Sequence, residues 1–108
     1  MNIIGFLPLI ILDIVKYNEY KDKFKELDEQ YKNYVYKIQN GHIEVEEMKK
    51  YMTIKKKRYL CLAPIVRTEV YLRSMDKEDR EYIIDKYVVN QDTDISKRTY
   101  DIFMVLNL

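Results

Sequence analysis

One cysteine, one histidine, two glycines, two prolines and no tryptophan stand in a chain of 108 residues. A lone cysteine closes no internal disulfide, and with one histidine it does not complete a zinc site. So few glycines and prolines exclude collagen, Pro-rich linkers and a turn-dense β sandwich. Charge of one sign is lacking as well: 19 Lys+Arg oppose 18 Asp+Glu, a formal charge of +1. Nucleic-acid binding would therefore need a local basic patch, because the chain as a whole is not basic. No paired carboxylates, Ser/His/Asp set or phosphate-cradling glycine loop stands out, so the expectation is a protein without catalytic site, metal or cofactor.

What is present points to helices. The chain is 47% hydrophobic and 34% charged, too apolar for wholesale disorder. Its length suits one domain, or a small domain with an appended helix. Tyrosine is common at 11 residues, and Lys, Ile and Asn stand where Ala and Gly would be usual, a bias of AT-rich genomes. Cys61 lies in the apolar run Tyr59-Leu60-Cys61-Leu62-Ala63, which predicts a buried thiol rather than a nucleophile.

Residues Ile3 to Val15 are almost wholly apolar. They lack the basic lead and small-residue cleavage site of a signal peptide. Asp13 and Lys16 also interrupt them short of the roughly 20 residues a membrane span needs. A short helix starting near Pro8, buried against the rest of the chain or a second copy, is expected. No membrane association is expected, and a cytoplasmic location is.

From Tyr17 the pattern is regular. Tyr17, Tyr20, Phe24, Leu27, Tyr31, Tyr34 and Ile38 follow at alternating three- and four-residue steps, the spacing of a coiled-coil seam. Asn40-Gly41 then signals a helix stop. A tyrosine-rich seam favours an antiparallel hairpin within one subunit, with a parallel dimer as the alternative. The returning helix is expected over about Ile43 to Leu62, with Val45, Met48, Met52, Tyr59 and Leu62 as its apolar stripe. Pro64 is expected to break or restart it.

The same segment carries Lys49, Lys50, Lys55, Lys56, Lys57 and Arg58, a run with no acid between 49 and 58. Such a run is either a solvated face or a set of phosphate contacts, and Lys55, Lys56, Lys57 and Arg58 are the candidates for nucleic acid. Farther on, Asp76 is placed to cap a helix carrying Tyr82, Ile83, Ile84, Tyr87 and Val88. Asn90 to Asp94 ends it. Ser96 caps a last helix, with Ile95 placed to staple onto Tyr100. Lys97, Arg98 and Thr99 fill that helix's first turn, where backbone donors and cations can grip phosphate.

Three blocks resemble the RinA/ArpU-type phage regulators of late-gene transcription, whose C-terminal part is similar to region 4 of sigma factors. They are Leu12 to Tyr31, Ser74 to Tyr87, and Ile95-Ser-Lys-Arg-Thr-Tyr100, the last similar to the opening of the recognition helix. The resemblance implies a helical scaffold over 1–75 and a degenerate sigma region 4-like pair over 76–108. It also implies transcription regulation in a bacterial host through DNA or RNA polymerase, with Ser96, Lys97, Arg98 and Thr99 facing the nucleic acid.

The chain departs from the family pattern in three places. Only residues 88–94 separate Tyr87 from Ile95, too few for the positioning helix of a helix-turn-helix. Asp76, Glu78, Asp79, Glu81, Asp85, Asp92 and Asp94 outweigh Lys77, Arg80 and Lys86 on the supposed DNA side. The end, from Phe103 to Leu108, is apolar where the family continues with basic residues. These departures support the alternative of a small phage or mobile-element protein that binds and inhibits or redirects a host protein. The expected fold is all-α, a long helical hairpin followed by a short C-terminal helical pair, in a homodimer or a hetero-complex.

Overall fold

A computed structural model describes residues 3–106, and among them the chain is all-α with no strand. A 3-10 turn, Ile3–Phe6, leads into α1 (Leu7–Val15), α2 (Tyr17–Gln39) and α3 (Val45–Arg73). Then follow α4 (Lys77–Ile83), a π-helical continuation over Ile84–Val89, and α5 (Lys97–Val105). The long hairpin and the short C-terminal pair are both present. The chain divides into two compact units, one of Glu19–Ala63 and the other of the described residues up to Asn18 and from Pro64 onward.

The hairpin unit is made by α2 and the first part of α3. α2 stops where its sequence says: Gly41 adopts φ +70, a left-handed conformation costly for any residue with a Cβ. The His42 amide donates to the Lys37 carbonyl at 3.0 Å and the Gly41 amide to Ile38 at 3.1 Å. That pair of bonds is a Schellman cap, and it turns the chain back on itself. Cross-helix partners then run in opposite directions. Lys37 meets Glu47 at 2.7 Å, Tyr31 stacks on Tyr51 at 5.7 Å, and Asp28 meets Arg58 at 2.8 Å. As one residue number falls the other rises, which is an antiparallel pairing.

The second unit holds the larger core. Five residues of α1, Leu7, Ile10, Ile11, Ile14 and Val15, are buried with Leu72, Met75, Ile83, Tyr87, Ile102 and Phe103. The apolar N-terminal run is thus buried inside its own chain. Phe103 and Tyr71 meet edge to face at 6.0 Å. The Asp13 carboxylate that interrupts the apolar run pairs with Arg67 at 3.0 Å. Among the described residues no helix is long and apolar enough to cross a membrane.

Three local expectations need correction. α3 passes through Pro64 without breaking. The ring removes the bond to the Leu60 carbonyl, and the helix continues because Ile65, Thr68 and Leu72 beyond it are buried. Asp76 occupies the N-cap position, but its side chain makes no cap bond. The boundary set between residues 75 and 76 falls inside one core, since Met75 is buried with Ile83 and Tyr87. Arg80 closes that junction: its guanidinium donates to the carbonyls of Leu72 at 2.8 Å and Met75 at 2.9 Å, ending α3 with a cation.

Candidate functional site

The last turn before α5 is the most densely bonded part of the molecule. Ser96 Oγ accepts from the Thr99 amide at 3.1 Å, the N-cap bond its position predicts. The same hydroxyl lies 2.6 Å from the Tyr82 hydroxyl and 2.9 Å from Thr99 Oγ1. Thr99 Oγ1 in turn lies 2.6 Å from the Tyr87 hydroxyl, which donates to the Asp94 carbonyl at 3.1 Å. Thr99 and Tyr87 have no exposed surface. Ser96 and Thr99, two of the four residues expected to face nucleic acid, therefore belong to a chain of hydroxyls that ties α5 to the preceding helix.

Arg98 is also occupied. Its guanidinium lies 4.3 Å from the centre of the Tyr82 ring and 3.8 Å from the Asp79 carboxylate. A planar cation stacked on an aromatic face beside an acid has a structural reason to be there. Lys97 is exposed. Segment 90–96 is not helical, so no positioning helix precedes α5.

The basic run divides in the same way. Arg58 turns inward on α3, its side chain 29% exposed. It donates to Asp28 at 2.8 Å and lies 5.0 Å from the Phe24 ring and 4.6 Å from the Tyr31 ring. Hydrogen bonds from Arg58 and then Lys32 hold the Asp28 carboxyl below its ordinary value of 3.8. Lys55, Lys56 and Lys57 are exposed. The structure thus gathers Ser96 and Thr99 into one network and leaves Lys55, Lys56, Lys57 and Lys97 on the surface.

α3 meets α2 on a different stripe from the one expected. In the hairpin unit Glu47, Tyr51, Ile54, Arg58 and Cys61 are the sheltered positions, at alternating four- and three-residue steps, and Cys61 is buried as expected. Val45, Met48, Met52 and Tyr59 are exposed. They form a second stripe at heptad spacing, with Lys55 in the vacant position between Met52 and Tyr59. The α2 seam from Tyr20 to Ile38 is half-buried throughout, as hydroxyl-bearing rings that keep water at one edge require. The signal for the true seam was Tyr51-x-x-Ile54 with Arg58 four residues on, masked because a guanidinium does not read as a seam residue.

Two groups beyond the hairpin seam are notable for their chemistry. The Tyr17 hydroxyl donates to Glu69 at 2.7 Å; burial and then this carboxylate push its pKa up to about 12. Thr68 Oγ1 is buried with no hydrogen-bond partner. Among the described residues no group of acids, histidine and cysteine could hold a metal ion. No family model, curated protein or solved structure matches this chain.

Proposed function

We propose that this chain is a non-enzymatic protein-binding module of the phage or mobile-element type, one that binds a host protein in the bacterial cytoplasm and inhibits or redirects it. The observation that carries the reading is the apolar stripe of α3: Val45 is 73%, Met52 57% and Tyr59 67% exposed. A contiguous stripe of large side chains at helical spacing, facing water on a helix whose other side is already packed, is a surface awaiting a partner. The side chains that would read DNA are engaged within the fold: Ser96 and Thr99 with Tyr82 and Tyr87, Arg98 with Tyr82 and Asp79.

A second reading keeps the resemblance to phage transcription regulators in full. Lys55, Lys56 and Lys57 are exposed, and three cations on one helical segment suit sequence-independent phosphate contact. RNA polymerase is the host protein that serves both readings. Affinity capture with the full chain from a low-GC bacterial lysate, with and without nuclease, tests the proposal. A discrete host protein retained after nuclease treatment is expected. Recovery of nucleic acid alone, lost on nuclease treatment, would overturn the protein-binding reading.

A further inference from the structure

Resting on the protein-binding reading, we infer that the outward stripe of α3 is the docking seam for an acidic amphipathic helix of the partner, with a carboxylate facing Lys55. Val45, Met48, Met52 and Tyr59 keep the three-four-seven steps of a coiled-coil seam on the side of α3 away from Tyr51, Ile54 and Arg58. A helix packed on such a narrow seam buries its own apolar edge and leaves its flanks to the residues beside it. Those flanks are basic. Lys56 lies beside the stripe, Lys55 lies within it, and Lys49 adjoins Met48 and Met52 with only the exposed Glu46 near it, at 3.4 Å.

The charge decides what covers the stripe. In a second copy paired in parallel, Lys55 would meet Lys55. Paired antiparallel about Met52, Lys55 would meet Lys49. Either arrangement sets like charges together at the seam, which is destabilising. An anionic lipid surface would accept the lysines, but it favours a broad apolar face rich in large residues, and Lys55 interrupts this narrow one. A helix with apolar a and d positions and Glu or Asp at its flanks satisfies both features. A single cation in a seam also sets register, because only one alignment supplies its carboxylate.

The test uses the full chain and a labelled synthetic helix of about three heptads, with Leu at a and d, Glu at the flanks and one Glu placed to face Lys55. Anisotropy should report saturable binding. Met52→Asp should weaken it at least about tenfold, a loss of the size that marks a contact at the centre of an interface. Lys55→Glu should also weaken it, and a helix with Lys at the facing position should restore binding to that variant. This rescue keeps the test decisive, since a misfolded chain would not be rescued. A shuffled peptide of equal composition should not bind.

Equal binding of the shuffled peptide, or indifference to Met52→Asp, would overturn the inference. So would a dimer in sedimentation that Met52→Asp dissolves, which would make a second copy the occupant. Binding to phosphatidylglycerol vesicles without binding to the helix would assign the stripe to lipid. A host protein captured equally by wild type and Met52→Asp would overturn this seam while leaving the protein-binding reading intact.

Discussion

Arg58 decides how the hairpin unit holds together. A guanidinium bonded to Asp28 and lying over Phe24 and Tyr31 fills a seam position that an aliphatic residue would otherwise take. Arg58→Ala should lower stability by about 1–2 kcal/mol, the sum of a partly screened charged hydrogen bond and two stacking contacts. Arg58→Lys should recover little of it, because a point charge neither stacks nor forks. Urea unfolding measures both, and an unchanged midpoint for Arg58→Ala would contradict this role. The pairing also makes stability depend on pH. Asp28 is held below its unfolded value of 3.8, so its contribution is complete above that value and is lost as pH falls through the lower folded value. Stability should fall more steeply in acid for wild type than for Asp28→Asn, as thermal melts across that range would show. In the sequence Arg58 is the last member of a basic run and reads like its neighbours. Its separate role follows from its heptad position opposite Asp28 and Tyr31, which no pattern of apolar residues marks. The Ser96 cap, by contrast, was legible, since it depends only on local spacing.

At the scale of elements, the clearest signals were those confined to a few residues. Gly41 ends α2 because the left-handed turn it makes is closed to other residues at low cost, and Pro8 lies in the first turn of α1, where a missing amide does no harm. Pro64 gave the opposite signal from the outcome. Local preference argued for a break, and the burial of Ile65, Thr68 and Leu72 on one face carried α3 through it. Pro64→Ala should therefore restore the bond to Leu60 and stabilise the chain by about 1–2 kcal/mol, less than the full proline penalty because Pro64 is itself buried. A lower denaturation midpoint for Pro64→Ala would show that its ring packing outweighs the missing bond. The outward stripe of α3 was visible in the sequence but assigned to the wrong side. Two stripes at heptad spacing coexist on α3, and the more hydrophobic one is the one left in water.

For the whole molecule, the account rests on where the cations and hydroxyls go. The C-terminal turn that resembles the opening of a recognition helix uses Ser96 and Thr99 to fasten α5 and Arg98 to cover Tyr82. The lysines of α3 remain outside, beside an apolar seam. Such a molecule attracts phosphate without reading bases. All-α architecture, the hairpin and the buried N-terminal run followed from periodicity and length. The assignment of basic residues to ligand or fold did not, because it depends on contacts among residues distant in sequence. Titration of the full chain with phage-promoter and random duplexes of equal length, over a range of salt, tests the account most directly. The two duplexes should bind within a few-fold of one another, Arg98→Ala should change neither, and replacing Lys55, Lys56 and Lys57 with Gln should flatten the salt slope. A promoter preference of about a thousandfold or more, erased by Arg98→Ala, would contradict it and restore the C-terminal turn as a reader of DNA.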